Sequence, residues 1–200
     1  MRNEVYRNIL SVSENIIINR DWLYHWILDE EMMYKVYKFG ILSKENLRKQ
    51  KIAFTRDNKW NVGCNGTEYV SVCKRLERGS FAYQRYIMGK CAFIISPNIE
   101  KINTEKIETE VKRNGFFGKW LKPKIVVEEK SIVNHPDEYL VKDKIAFSDI
   151  IGLKVPVFAD DDDYEMLLNF LENTNTDLPI INVEQGLVTD KEKVKRYLQG

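Results

Sequence analysis

The chain has 200 residues and a mass of 23.6 kDa, enough for one domain of ordinary size, and its 44% hydrophobic content supplies a packed core. Its 31 basic and 30 acidic side chains nearly cancel, so no overall charge draws it to nucleic acid or to an anionic membrane. Three cysteines without CxxC spacing and two histidines argue against a disulfide framework and a histidine-rich metal site, and they favour a reducing compartment.

The N-terminal part of the chain predicts a helix and then a strand. Apolar residues recur at helical spacing between residues 3 and 18, and this stretch lacks the continuous apolar core of a signal peptide. No segment reaches the roughly 18 apolar residues of a membrane helix, so we expect no membrane partner. A cytoplasmic protein fits this pattern, as does one delivered into a host cell without a standard signal peptide. The aromatic run DWLYHWI, residues 21–27, predicts a short buried strand.

The next part of the chain predicts two helices and two strands. DEEMMYKVYKFGIL has an acidic start, apolar residues at helical spacing and Gly40 as a stop, and Ser43 begins a second, shorter helix as its N-cap. After a turn-rich loop, YVSVCKR alternates in the manner of a strand. GSFAYQRYIMG predicts a short helix or turn, and KCAFIIS predicts another strand that ends before Pro97.

The second half of the chain continues this irregular mixture. An aromatic loop leads into the strand IVVEEKSIV, and DEYLVKDKIAFSDIIGLKVP predicts a strand, a turn near 142–144, a helical turn at 148–150 and a final strand. DDDDYEMLLNFLENTNT predicts a helix whose acidic start suits the positive end of the helix dipole, and TDKEKVKRYLQ predicts another. The interleaved order predicts an α+β fold, without the glycine loop of a doubly wound nucleotide-binding domain.

Two of these segments resemble sequence blocks of a known superfamily. WLYHWI, followed by a helix and FGILSKENL, contains the pair Tyr24 and His25. DEYLVKDKIAFSDIIGLKVP begins its strand with Glu138. Both resemble signature blocks of the ADP-ribosyltransferase superfamily, in the diphtheria-toxin-like branch that includes the poly(ADP-ribose) polymerases.

A third segment, EYVSVCKRLERGSFAYQRY, lies between these two and resembles the middle block of the same superfamily. A tyrosine on a strand is followed there by Ser-x-x-Tyr, which corresponds here to Tyr69, Ser80 and Tyr83. Ser71 is the alternative to Tyr69 for the middle position, as in the toxin branch that uses a serine.

The resemblance covers residues 22–156 and implies a split β-sheet core with flanking short helices. We therefore expect a single domain over residues 1–200, with an ADP-ribosyltransferase-like core at about 20–157 and a helical C-terminal extension at about 160–200.

The resemblance also implies cleavage of the bond between nicotinamide and ribose in NAD, which is the substrate. Glu138 would bond the nicotinamide-ribose 2′-hydroxyl and stabilise positive charge on the sugar, and His25 would hold the adenosine-side ribose. Ser80 would bond the carboxamide, and Tyr83 would stack on the nicotinamide ring. Tyr69 is the third expected catalytic residue beside Glu138 and His25. Tyr24 and Ser71 are further expected cofactor contacts. Each residue alone has a plain alternative as a core, capping or solvated side chain.

The expected reaction is a single transfer of ADP-ribose to a macromolecule, with protein favoured over nucleic acid as the acceptor. By resemblance, the basic and aromatic segment 112–124 contacts that acceptor, and its alternative is a buried aromatic hairpin with lysines that reach solvent. Pro136 stands two residues before Glu138, where arginine-modifying toxins carry Glu or Gln, so arginine modification is disfavoured. Two other functions remain open: an NAD glycohydrolase toxin or effector, and a non-catalytic interaction module.

Overall fold

The computed structural model describes residues 21–52, 68–74, 91–111, 124–133, 137–156, 159–183 and 186–199. Within these ranges the fold is of the mixed α+β class, as the sequence predicts. The strands are β1 Leu23–Trp26, β2 Ile41–Leu42, β3 Tyr69–Lys74, β4 Ala92–Ile95, β5 Thr104–Val111, β6 Lys124–Ser131, β7 Glu138–Lys142, β8 Lys144–Ile145, β9 Ile150–Lys154, β10 Ile180–Asn182 and β11 Leu187–Thr189. The helices are α1 Glu30–Phe39, α2 Lys44–Lys49, α3 Asp161–Thr174 and α4 Lys191–Gln199, with a 3-10 turn at Phe147–Asp149.

Seven strands form the central sheet in the order β11-β10-β9-β4-β1-β3-β7. The β9–β10 pair is parallel and the other pairs in this sheet are antiparallel. The β2–β8 and β5–β6 pairs form separate two-stranded sheets. Because β10 pairs with β9, the segment after α3 returns to the sheet, and the expected helical extension at 160–200 contributes two strands as well as two helices.

The central sheet has a hydrophobic cluster on each face, because successive side chains of a strand point to opposite sides. Leu23, Phe93 and Leu153 belong to the larger cluster, which also contains buried residues of α1, α3 and α4. Tyr24 and Ile94 are their neighbours in sequence and belong to the smaller cluster. The helices α1, α3 and α4 therefore cover the face of the sheet that carries the larger cluster.

Local hydrogen bonds fix where the helices begin. The Asp29 carboxylate accepts from the Met32 amide at 2.8 Å at the start of α1, and the Ser43 hydroxyl accepts from the Asn46 amide at the start of α2. At α3, Asp160 and Asp163 form a reciprocal capping box. The predicted Ser43 cap and the acidic start of α3 are therefore confirmed, each with the hydrogen bond that explains it.

Gly40 closes α1 with a positive φ of 81°, and its amide donates to the Val36 carbonyl at 2.8 Å. A Cβ at this position would collide with the Ile145 carbonyl oxygen on β8. We therefore expect Gly40→Ala to lower the free energy of unfolding by about 1–3 kcal/mol. Alanine is strained at this positive φ, and its Cβ would push α1 away from β8. Urea denaturation measures this change, and an unaltered midpoint would contradict it.

Several predicted elements lie outside the described residues. These are the helix at 3–18, the turn-rich loop, the GSFAYQRYIMG segment and the aromatic loop before β6. Among the others, the strands at β1, β3, β4, β6, β7 and β9 and the helices α1 to α4 are confirmed. The turn near 142–144 is confirmed too, with Asp143 at a positive φ of 62°.

Candidate active site

Three neighbouring strands carry the residues from which we build the site. The strands β1, β3 and β7 lie side by side at one end of the central sheet, and they carry His25, Ser71 and Glu138 respectively. The sequence separates these residues by 46 and 67 positions. The sheet order alone brings them onto adjacent strands.

The Ser71 hydroxyl donates a hydrogen bond of 2.5 Å to the Glu138 carboxylate. Register explains the contact: Cys73 lies opposite Glu138 and Ser71 lies opposite Leu140, so the two polar side chains are diagonal neighbours on one face. Hydroxyl groups that donate to a carboxylate commonly make hydrogen bonds this short. The contact fixes one oxygen of Glu138 and thereby the orientation of the carboxyl group, which is partly exposed.

The His25 side chain contacts the backbone of the same serine. The imidazole Nδ1 lies 3.0 Å from the Ser71 carbonyl oxygen, a distance at which the ring N–H donates and the carbonyl accepts. Burial lowers the pKa of His25, and the bond to the Ser71 carbonyl opposes that shift in part. The ring is therefore neutral near pH 7, with Nδ1 carrying the proton.

The side chains of His25 and Glu138 leave the central sheet on opposite faces, because successive side chains of a strand alternate between its two faces. Tyr24, Cys73 and Glu138 form one cross-strand row and so leave the same face of the sheet. His25 lies opposite Phe93, on the face of the larger cluster. The link from the imidazole to the carboxylate therefore runs through Ser71, whose carbonyl accepts from one and whose hydroxyl donates to the other.

The lowered pKa of His25 predicts a stability change at acid pH. Below the unfolded-state value of 6.5, the unfolded chain takes up a proton that the folded chain resists, so stability falls as the pH drops. We expect His25→Gln, which keeps a donor for the Ser71 carbonyl, to remove this component. Urea unfolding of both proteins between pH 7 and pH 5 measures the difference. Equal pH dependence of the two would contradict the assignment.

Tyr24 and Cys73 pack beside the carboxylate on its own face. Tyr24 is 2% exposed and belongs to the smaller hydrophobic cluster, and the Cys73 thiol lies 3.9 Å from the Tyr24 carbonyl oxygen. Burial, followed by the negative charges of Glu138 and Asp137, raises the pKa of Cys73 to about 12. The thiol is therefore protonated at neutral pH and unsuited to act as a nucleophile. Tyr24, an expected cofactor contact, is therefore buried in the smaller hydrophobic cluster.

Tyr69 lies on the same strand face as Ser71 but away from Glu138. It pairs with Lys142 and lines a cavity of about 530 Å³ beyond β7, together with Asn98, Lys101 and Asp149. Because the rise along a strand is about 3.3 Å per residue, Lys142 lies about 13 Å from Glu138. Of the two alternatives for the middle position, the structure therefore brings Ser71 to the carboxylate and leaves Tyr69 at a neighbouring cavity.

Two expected cofactor contacts, Ser80 and Tyr83, lie outside the described residues, and so do residues 112–123 of the expected acceptor segment 112–124. Their roles stay predictions. In the part of the chain that the structure describes, no group of three His, Cys, Asp or Glu side chains is arranged to hold a metal ion.

Lys154 is a buried charged residue that the sequence did not predict as part of a site. Its side chain is 1% exposed on β9, and by register it shares a face with Ala92 and Ile181. Its ammonium opposes the rise in the pKa of the Cys73 and Cys91 thiols that burial causes. The sequence does contain a signal for this residue, because Lys154 is the one charged residue in the apolar stretch from Ile150 to Val155.

The comparisons with known proteins give no relative: no family model, curated protein or solved structure matches the chain. Within the described residues, no helix is both long and apolar enough to cross a bilayer. The function therefore has to be inferred from the residues of the site itself.

Proposed function

We propose that the protein is a mono-ADP-ribosyltransferase that cleaves NAD at the nicotinamide–ribose bond and transfers ADP-ribose to a macromolecule. The observation that supports this most is the Ser71 hydroxyl bonded to the Glu138 carboxylate on the neighbouring strand. The resemblance gives Glu138 the catalytic role and leaves the middle role to Tyr69 or Ser71, and a hydrogen bond between Ser71 and Glu138 supports a joint role for these two residues. An ADP-ribosyltransferase core within the α+β fold is part of the same proposal.

The reaction needs a fixed negative charge next to a sugar that becomes positive. The C1′–N1 bond breaks, neutral nicotinamide leaves with the bonding electron pair, and the ribose acquires oxocarbenium character. The Glu138 carboxylate stabilises this charge and accepts from the 2′-hydroxyl of the same ribose. An acceptor oxygen or nitrogen then attacks C1′ and releases its proton to solvent or to a base. Ser71 holds the carboxylate so that little reorganisation accompanies the step.

His25 has two possible contributions, which substitution can separate. As the resemblance implies, it would bond the adenosine-side ribose and lower the KM for NAD, although its Cβ leaves the sheet on the face opposite that of Glu138. Through the Ser71 carbonyl it would instead fix the position of β3 beside Glu138. A variant that raises KM alone supports direct ribose binding, and one that lowers kcat with little change in KM supports positioning.

Transfer is tested with NAD that carries a label in its adenylate part. Wild type and Glu138→Gln are incubated with a lysate, and labelled macromolecules are separated and counted. We expect labelling by the wild type and at most a trace by the variant. Labelling that is equal in both would rule out the assigned chemistry. Nuclease and protease treatment of the product then shows which acceptor class carries the label, and we expect protease sensitivity.

Two other functions predict different results in companion assays. An NAD glycohydrolase releases nicotinamide at full rate without any macromolecular acceptor and labels nothing. A non-catalytic module releases none, and if it also lacks an NAD site, millimolar NAD leaves its melting temperature unchanged. A true NAD site raises stability by about 2.7 kcal/mol at 100 times the Kd, which a thermal shift detects.

A further inference from the structure

The cavity of about 530 Å³ beyond β7 plays no part in the chemistry assigned to Glu138. Its lining comes from the segments 96–102 and 140–149 and from Tyr69 of β3. Proteins bind small molecules in cavities of about 300–1,000 Å³, so this one has the size of a ligand site. Its side chains then decide which class of ligand it fits.

Backbone hydrogen bonds join the two lining segments at both of their ends. The amides of Ile102 and Leu140 donate to each other's carbonyl oxygens, at 3.0 and 2.8 Å. At the other end, the Ser96 amide donates to the Asp149 carbonyl at 2.9 Å. The walls are therefore held together by the fold itself, and a cavity formed in advance lowers the ordering cost of binding a ligand.

Two of the three lysines that line the cavity have ammonium groups available to a ligand. Lys101 is already engaged, because its ammonium donates to the Pro97 carbonyl at 2.5 Å and lies 5.9 Å from the centre of the Tyr139 ring. Lys142 and Lys144 flank the turn between β7 and β8, and both are exposed. Within the described residues, neither of these two side chains makes a hydrogen bond or an ion pair. A phosphate group is a ligand that such ammonium groups bind.

The rest of the lining suits the other parts of a nucleotide. Glu100 and Asp149 add two carboxylates, so a bare anion would meet repulsion as well as attraction. Ribose hydroxyls and the amino group of a base are donors that a carboxylate accepts, and the Asn98 amide can both donate and accept. Tyr69 offers an aromatic ring, on which any base can stack. This mixture of charges matches a nucleotide better than it matches inorganic phosphate.

We propose that this cavity is a nucleotide-binding site, in which Lys142 and Lys144 bind the phosphates and Tyr69 packs against the base. Two sources carry this chemistry, the ADP half of NAD and a free nucleotide. Tyr69 and Ser71 are two residues apart on β3, so about 7 Å separates their Cα atoms, and the cavity adjoins the candidate active site. Only the first source rests on the proposed function.

Calorimetric titration of the full chain with ADP tests the role of the two lysines. In the double variant Lys142→Gln, Lys144→Gln, the Kd for ADP should rise at least about tenfold, because charge-assisted hydrogen bonds to phosphate are lost. Adenosine, which has no phosphate, should bind more weakly than ADP and equally to both proteins. Lys130→Gln is the matched control, an exposed lysine that does not line the cavity. No binding of ADP at millimolar concentration, or equal affinity in wild type and double variant, would overturn the proposal.

The role of the Tyr69 ring is tested by a pair of substitutions. Tyr69→Leu should weaken the binding of ADP and of adenosine alike, by about tenfold, because the surface on which the base stacks is lost. Tyr69→Phe keeps the ring and should keep both affinities within about twofold. Thermal unfolding of the two variants shows whether each is folded. Unchanged affinity in folded Tyr69→Leu, or a similar loss in Tyr69→Phe, would contradict stacking on this ring.

Inhibition of nicotinamide release by ADP separates the two sources. An increase in the KM for NAD with an unchanged kcat identifies the cavity as the site of the ADP half of NAD. Bound ADP that alters neither constant identifies a site for a free nucleotide. A wild type that binds ADP but releases no nicotinamide would contradict the proposed function and leave the nucleotide site standing. A failed ADP titration would contradict the nucleotide site alone.

Discussion

Replacing Glu138 by glutamine is expected to lower the kcat of nicotinamide release by about 10²–10³, because one preorganised charge aimed at the transition state has an effect of that size. Glutamine keeps the length of the side chain and an oxygen that accepts from the Ser71 hydroxyl, so the local hydrogen bond survives while the charge is removed. Initial rates of nicotinamide release at saturating NAD measure the effect.

The matched control is Glu165→Gln, the same change at an exposed position of α3. It should leave both kcat and KM as they are in the wild type. Thermal unfolding of Glu138→Gln should be close to that of the wild type, which shows that lost activity is not lost fold. An active Glu138→Gln enzyme would remove the carboxylate from the mechanism.

Leu167→Ala is expected to have the largest effect on stability, a loss of about 3–5 kcal/mol in the free energy of unfolding. Leu167 is 0% exposed on α3 and belongs to the larger cluster beneath the helices. Its truncation removes buried apolar surface and leaves a cavity that rigid neighbours fill only in part. Urea denaturation should show a lower midpoint with an unchanged slope.

Leu28→Ala is the matched control for this prediction, since Leu28 is 44% exposed before the start of α1. The same three carbons are removed there from a side chain that is already largely in water. A change within about 0.5 kcal/mol is expected. Similar losses in the two variants would show that α3 does not pack against the sheet as described.

Elements with strong local signals could be predicted from the sequence. YVSVCK alternates, and its alternate residues Val70 and Val72 are indeed buried. Ser43 and Asn46 have the spacing of an N-cap and make the expected bond, and the predicted acidic start of α3 contains the Asp160–Asp163 capping bond, which was not predicted. These features depend on residues within one or two turns of each other, which is the range over which sequence patterns carry information.

Five strands, β2, β5, β8, β10 and β11, were not predicted, and β2 and β8 have only two residues each, too few for a periodic signal. TEKIETEV in β5 places charged residues on both faces, since the β5–β6 pair buries neither, and so it lacks the apolar alternation of a half-buried strand. β10 and β11 have three residues each, too few for a periodic signal. Their strand conformation depends on pairing with β9 and with each other, contacts that are distant in sequence.

The candidate residues of the site could be predicted from the sequence, but their positions relative to one another could not. His25 and Glu138 were assigned from the resemblance, and the middle position was left between Tyr69 and Ser71. Only the β3–β7 register distinguishes the two, because it sets Ser71 diagonal to Glu138 and Tyr69 opposite Lys142. The route from His25 to Glu138 through the Ser71 backbone was likewise not predictable, since no local pattern encodes which carbonyl a strand histidine meets.

Titration of the isotope-labelled protein with NAD, followed by amide NMR, tests most directly whether β1, β3 and β7 together form the NAD site. Ser71 and Glu138 should show the largest shift changes, with His25 among the affected residues. The chemical shifts of the β10 and β11 amides, at the far end of the sheet, should not change. Shift changes concentrated away from the Ser71–Glu138 pair, or none at millimolar NAD, would contradict the assignment of this site.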